Sequence, residues 1–191
     1  TTVNGGNLQF ANTADLKGLS CSQFYINEGG YLEFESSVGG ANRTVLNNKT
    51  MTFGSDGGGT IHFNGGNHLF QTGTHTFETT GGSKNTISHS SGAYLNNQGS
   101  GNTDFIVADG TDDVDLELSV TWSNGPITKN GAGKMSITGT HGGNYAITIN
   151  DGTLDVGGSS SLAGGTFTST IANDGSLVYS STADQTLAGA I

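Results

Sequence analysis

The sequence predicts an all-β protein, a right-handed parallel β-solenoid in which short strands alternate with tight turns. Glycine supplies 33 of the 191 residues and proline only one, without a collagen-like period. Apolar and polar residues alternate at period two, as in Leu8-Gln9-Phe10 and Ile147-Thr148-Ile149, and this pattern turns one face of a strand inward. Related phrases recur along the chain, which favours a solenoid over a sandwich or a barrel.

The expected strands follow one another at intervals of roughly 8 to 12 residues, separated by turns rich in Gly and Asn. These two residues tolerate the positive φ that tight turns need. Helix signals are nearly absent, and residues 11–19 allow one short helical turn at most. The positions that we expect to point inward are Phe10, Phe34, Phe53, Phe63, Ile137, Ile149, Leu154 and Leu177.

The charge of the chain argues against several kinds of partner. Six Lys and Arg stand against sixteen Asp and Glu, giving a formal net charge of −10. The chain has no basic patch to neutralise phosphates or anionic headgroups, so we expect neither nucleic acid nor membrane as a partner. No apolar run approaches the roughly 18 residues of a membrane-spanning helix. The single cysteine, Cys21, cannot form an intrachain disulfide, and we expect a small buried apolar residue there.

The clearest motif lies in the C-terminal third of the chain. It reads Ile127-Thr128-Lys129-Asn130-Gly131-Ala132-Gly133-Lys134-Met135-Ser136-Ile137-Thr138-Gly139, then Asn144-Tyr145, then Ile147-Thr148-Ile149-Asn150-Asp151-Gly152-Thr153-Leu154. These residues resemble the autotransporter-associated β-strand repeat, also called the passenger-associated transport repeat. The family places glycine after its Tyr, whereas Gly142 and Gly143 precede Asn144 and Tyr145 here.

The resemblance covers residues 127–191 well and residues 1–126 only in style. We therefore expect a single solenoid over residues 1–191, with irregular coils over 1–126 and autotransporter-type repeat coils over 127–191. The resemblance implies a parallel β-helix on a bacterial cell surface, or shed from it, whose repeat assists folding of the passenger during secretion. Because the chain starts at Thr1 without a leader, we expect an extracellular product whose signal peptide is already removed.

The acidic stretch over residues 109–118 is the best candidate for chemistry. Alternation would turn Asp113, Asp115 and Glu117 outward together on one strand face. Three carboxylates arranged in this way could bind Ca²⁺, which prefers several oxygen ligands. Their spacing matches neither an EF-hand loop nor the calcium-binding solenoid repeat. We therefore keep a weak calcium candidate and favour a solvated edge that repels other strands; no cofactor is predicted.

The sequence shows no recognisable catalytic constellation, and we predict that the protein is not an enzyme. His62, His68 and His75 are separated by gaps of six and seven residues, which do not fit one position per coil. We expect surface histidines there and no zinc site. A polysaccharide hydrolase is a remote alternative. Such an enzyme needs paired carboxylates in a groove. The carboxylates that could pair across coils are Asp104, Asp109 and Asp113.

The end coils of the predicted solenoid favour a structural role, with copies joined end to end, over adhesion. They expose unpaired strand edges and apolar core, and neither end of this chain offers an obvious cap. We expect a structural subunit of a surface fibre, in which the last coil of one copy meets the first coil of the next without closing. An adhesin-type passenger that binds glycans or proteins is the alternative. The residues expected at the assembly interface are Val3, Leu8, Phe10, Leu187 and Ile191.

Overall fold

The described part of the chain is a stack of parallel β-strands. A computed structural model describes residues 1–10, 23–35, 43–44, 48–70, 73–90, 94–97 and 101–191. In chain order the strands are β1 (Thr2–Val3), β2 (Gly6–Phe10), β3 (Gln23–Ile26), β4 (Gly30–Glu35), β5 (Arg43–Thr44), β6 (Thr50–Phe53), β7 (Thr60–Asn64), β8 (Asn67–Phe70), β9 (His75–Thr79), β10 (Asn85–His89), β11 (Tyr94–Asn97), β12 (Thr103–Val107), β13 (Leu116–Leu118), β14 (Ile127–Asn130), β15 (Lys134–Ile137), β16 (Ile147–Ile149), β17 (Thr153–Val156), β18 (Thr166–Phe167), β19 (Ile171–Asn173), β20 (Ser176–Tyr179) and β21 (Thr186–Leu187). Within these residues the only helical element is a 3₁₀ turn, Ala163–Gly165.

The strands form two long parallel sheets, which confirms the predicted parallel β-solenoid. Sheet A has the order β1-β3-β6-β9-β12-β14-β16-β19. Sheet B has the order β2-β4-β7-β10-β13-β15-β17-β20. Each coil therefore contributes one strand to each sheet, and equivalent strands stack at the parallel spacing of about 4.8 Å.

A third face of the solenoid is more fragmentary. It contains the short sheet β11-β8-β5 and is continued by single bridges that join Leu95 to Trp122, Trp122 to His141 and His141 to Leu162. Beyond them, β18 pairs with β21 in parallel. The third face thus stacks one position per coil even where it forms no continuous strand.

The core consists of side-chain columns that run along the solenoid axis. One inward column of sheet B contains Leu8, Leu32, Ile61, Ile87, Leu118, Ile137, Val156 and Tyr179. Six of the eight predicted core residues are fully buried, and the other two, Phe10 and Leu177, are partly buried against the core in the end coils. Phe10 stacks on Phe34 with ring centroids 5.5 Å apart. The period-two prediction of the core is confirmed.

Glycine is required where turns of successive coils touch. Gly131 and Gly152 occupy such turns, with φ of 80° and 65°. A Cβ on Gly131 would lie 2.5 Å from the Val107 carbonyl oxygen, and one on Gly152 would lie 2.5 Å from that of Gly131. No side chain fits at these distances, so the glycines of the repeat motif allow its coils to stack. The predicted helical turn over 11–19 and Cys21 lie outside the described residues.

Candidate functional site

The acidic stretch forms a loop rather than a strand. Because β13 begins only at Leu116, alternation does not apply before it, and the prediction that the three carboxylates point outward together is wrong. Asp115 is only 4% exposed. Its Oδ1 accepts a hydrogen bond from the backbone N–H of Gly110, and its Oδ2 accepts one from that of Lys134, both at 2.7 Å. The carboxylate of Asp115 thus joins its own loop to the next coil.

The other two carboxylates of the calcium candidate contact lysines. The Asp113 side chain is 92% exposed and forms an ion pair with Lys134 Nζ at 3.0 Å. Glu117 forms an ion pair with Lys84 Nζ at 2.6 Å and accepts a hydrogen bond from Thr138 Oγ1 at 3.1 Å. The hydrogen bond from Lys84 is the main cause that holds the pKa of Glu117 below its ordinary value. Over the described ranges, no group of three or more His, Cys, Asp or Glu residues is arranged to hold a metal ion.

A buried lysine interrupts an apolar column of sheet A. Lys129 stacks between Phe105 and Ile149, and its side chain is fully buried. Lys129 belongs to the repeat motif, but it is not among the core residues predicted from the sequence. The signal was present in the sequence, because period two puts Lys129 on the same face as the buried Ile127.

The ammonium group of Lys129 binds the turns of two coils. Its Nζ donates hydrogen bonds to the carbonyl oxygens of Asn130 at 3.1 Å, Gly131 at 2.6 Å and Asp151 at 3.1 Å. Three N–H donors therefore meet three acceptors. Burial lowers the pKa of Lys129 to about 8, although the carboxylates of Asp151 and Asp115 act in the opposite direction. At neutral pH the side chain is mostly a cation held inside the solenoid.

Three of the five histidines are core residues. His68, His75 and His141 are buried, so the prediction of surface histidines is wrong for His68 and His75. His62 and His89 are half-buried; His62 lies on the outer face of sheet B, whereas His89 is the register partner of the buried Phe63. The register between coils, and not the local sequence pattern, determines which histidines are buried. His68 and His141 lie in the column that also contains Trp122. Trp122 is buried, whereas Tyr145 is exposed.

A polar cluster on the outer face of sheet B was not predicted. Tyr31 stacks on His62 with ring centroids 5.7 Å apart, and His62 Nδ1 lies 2.8 Å from Ser88 Oγ. Beside them, Asn64 Nδ2 donates a hydrogen bond to Glu33 Oε1 at 2.9 Å. Burial, with a smaller effect of Glu33, raises the pKa of Tyr31. These residues come from strands far apart in sequence, so only the register of β4, β7 and β10 brings them together.

The predicted assembly residues lie at the two ends of the stack. Val3 is buried, and Leu8 and Phe10 are partly buried in the first coil. At the other end Leu187 is 36% exposed and Ile191 is 66% exposed. Within the part of the chain that the structure describes, the strands of the end coils pair on one side only: β1, β2, β19, β20 and β21.

The fold and these sites define a parallel β-solenoid protein with side-chain bridges between its coils. Comparisons with protein-family models, with curated proteins and with solved structures found no match. No helix in the described ranges is long and apolar enough to cross a bilayer.

Proposed function

We propose that the protein is an extracellular structural protein, a subunit of a bacterial surface filament whose copies stack head to tail through their end coils. The observation that carries this proposal is the one-sided pairing at both ends of the same two sheets. Unpaired parallel edges are templates for a further strand. A second copy placed on the end would continue sheet A and sheet B in the register already present.

Apolar surface at the ends supports this proposal. Four of the seven large apolar side chains that are exposed in the described residues belong to the final coil: Val178, Tyr179, Leu187 and Ile191. At the opposite end Leu8 and Phe10 are only partly buried. In a continued stack, Leu8 of one copy follows Tyr179 of another in the inward column of sheet B. Complete burial of a fully exposed aliphatic side chain contributes about 1.5–3 kcal/mol, and these partly exposed side chains contribute a part of that.

Charge at the ends also suits a contact between two copies. The chain carries a formal net charge of −10, so lateral association of rods is opposed by repulsion. Residues 1–10 contain no Asp, Glu, Lys or Arg, whereas the final coil contains Asp174 and Asp184. The described part of the first coil, residues 1–10, therefore adds no acidic side chain to a joint with the last. The motif over residues 127–154, which resembles the autotransporter repeat, supports a bacterial surface location.

The test is assembly of the natural full-length protein, followed by negative-stain microscopy and light scattering. We expect filaments that grow by one solenoid length per copy. Leu187→Asp should abolish them, because a joint would bury an unpaired carboxylate. Ile106→Asp is the matched control, since Ile106 is 38% exposed on the side of the rod rather than at its end. A mature mass well above 19.4 kDa, with further coils on these edges, contradicts the proposal, as do filaments that tolerate Leu187→Asp.

An adhesin-type passenger is the second candidate, and the cluster of Tyr31, Glu33, His62 and Asn64 supports it. A ring pair beside a carboxylate and an amide offers both the stacking surface and the hydrogen-bonding groups that glycans use. The same preparations distinguish the two functions. A protein that stays monomeric and binds glycan arrays or cells, with binding lost in Tyr31→Ala, is an adhesin and not a filament subunit.

A further inference from the structure

His141 lies on the third face, two coils before the end of the described stack. In its column Trp122 precedes it and Leu162 follows it, and all three side chains are buried. Its ring also lies against Phe167, with centroids 6.5 Å apart and planes tilted by 60°. The imidazole is thus enclosed by apolar side chains.

Neither ring nitrogen of His141 has a hydrogen-bond partner. The backbone groups of His141 itself and of Gly143 interact with the ring, but without the geometry of a hydrogen bond. A neutral imidazole tolerates this environment at moderate cost, whereas an imidazolium there is a buried charge without a counter-ion. Burial is accordingly the main cause that lowers the pKa of His141 to about 4, and the two backbone groups oppose it only in part.

The elements packed on the ring offer no compensating charge. Trp122, Leu162 and Phe167 present apolar surface, and no ion pair within the described ranges includes His141. The titratable residues on neighbouring segments are Tyr145, whose hydroxyl donates to Asn124, and Asp184, and both are exposed. A proton on His141 must therefore be accommodated by movement of the surrounding coil.

The parts that would move are the next coil, which contains Leu162 and β18, and the final coil, which contains β21 and forms the C-terminal end surface. The backbone N–H of Ala163 donates to the His141 carbonyl at 2.7 Å. Phe167, whose ring lies against the ring of His141, belongs to β18. β18 pairs with β21, and Phe167 is the register partner of Leu187. Leu187 is one of the residues assigned to the head-to-tail joint, so the joint lies two coils beyond His141 and is connected to it through Phe167.

We propose that His141 is an acid-sensitive latch: its protonation opens the segment that carries β18 and β21 and thereby releases the end-to-end contact. The release of assembly rests on the proposed function, whereas the opening of the coil does not. In the closed coil His141 is neutral, and in the opened coil it is solvated and takes up a proton. The latch regulates the same end surface that the filament uses.

The direction of the pH effect follows from the two protonation states. The open state binds a proton near pH 6.5 and the closed state only near pH 4. Opening is therefore independent of pH above about 6.5, becomes more favourable as pH falls from 6.5 to 4, and levels off below 4. At tenfold per unit, the opening equilibrium increases by about 300-fold across this window.

Trp122, the only tryptophan of the chain and the column neighbour of His141, reports the event. The experiment follows its fluorescence in the monomeric protein between pH 7 and 3.5, with pulsed hydrogen exchange of residues 160–191 labelled at one fixed pH. The wild type should show the increase in opening, His141→Phe should not, and the control His62→Gln should behave as the wild type. Equal acid responses of the wild type and His141→Phe overturn the proposal.

A second measurement covers the case in which His141→Phe does not fold. Titration of the His141 ring by nuclear magnetic resonance in the wild type should show that it stays neutral to about pH 4. A value near 6.5 overturns the latch. Assembly is measured separately: filaments that persist unchanged at pH 4.5 disprove the latch alone, whereas a protein that never assembles but opens in acid disproves the filament alone.

Discussion

Asn144 is one of several single polar side chains that join a coil to the following one. Its Oδ1 accepts hydrogen bonds from the backbone N–H groups of Thr168 and Ser169, both at 3.0 Å. Lys129 and Asp115 also join neighbouring coils, the first as a cation and the second as an anion. Each binds backbone groups of its own turn and of the next coil. A buried charge that contacts only backbone groups is costly to alter, because its partners stay behind unsatisfied.

Lys129 should make the stability of the protein rise at alkaline pH. Its pKa is about 8 in the folded state and near 10.5 when unfolded, so the unfolded chain binds more protons between these values. The free energy of unfolding should increase over pH 8–10.5, by roughly 3 kcal/mol at most. Urea unfolding of the wild type and Lys129→Met at several pH values measures this. Lys134→Met is the control for the loss of a lysine outside the core; superimposable slopes for the wild type and Lys129→Met contradict the assignment.

Asp115 and Asp113 should respond very differently to the same substitution. In Asp115→Asn, an amide group replaces one of two carboxylate oxygens that accept from backbone N–H groups, so one donor loses its acceptor. We expect a loss of about 1–3 kcal/mol in the free energy of unfolding. Asp113→Asn removes only an exposed ion pair and should cost less than about 1 kcal/mol. Equal losses in urea unfolding would show that Asp115 is not a structural carboxylate.

At the scale of the strand, period two was sufficient to predict which residues face the core. Phe34, Phe53 and Ile149 are buried because alternation within one strand depends on nothing beyond its own residues. The loop before Leu116 was predicted wrongly for the same reason: alternation was extended over residues that do not form a strand. Where a strand begins is decided by contacts with neighbouring coils, which the local sequence does not contain.

Register between coils explains what the sequence could not provide. The backbone bridge between Trp122 and His141 and the ring stack of Tyr31 on His62 join residues about twenty and thirty positions apart. Such pairs depend on the number of residues in each coil, and the irregular coils over 1–126 give no repeating length to count. Period two places Lys129 on the inward face, but only the register identifies Phe105 and Ile149 as its neighbours in the column.

Leu154 and Leu177 allow an internal and a terminal position of one column to be compared. They are register partners in β17 and β20, but Leu154 is fully buried and Leu177 only partly so. Leu154→Ala should cost about 2–5 kcal/mol in the free energy of unfolding, because it leaves a cavity between coils. Leu177→Ala should cost clearly less in the monomer, since part of its surface is already in water. Equal costs in the monomer would mean that another segment covers the final coil.

For the whole molecule, the cohesion of the solenoid is local. Every strand of sheets A and B pairs with the equivalent strand of an adjacent coil, so each coil depends on its immediate neighbours. The −10 net charge acts against this stack at all positions together, and high salt should therefore stabilise it. The two ends differ from the interior only in lacking one neighbour among the described residues.

The parallel stacking of coils also determines how the rod responds to tension. Strands lie across the axis and their ladders run along it, so a pull on the two ends separates one coil from the next before any other coil yields. From Lys129 to its register partner Ile149 the chain advances twenty residues and rises about 4.8 Å along the axis. Drawn straight, the same twenty residues span roughly 70 Å. A solenoid of this kind lengthens in steps under a sudden load, because single coils unfold while the remaining coils stay folded.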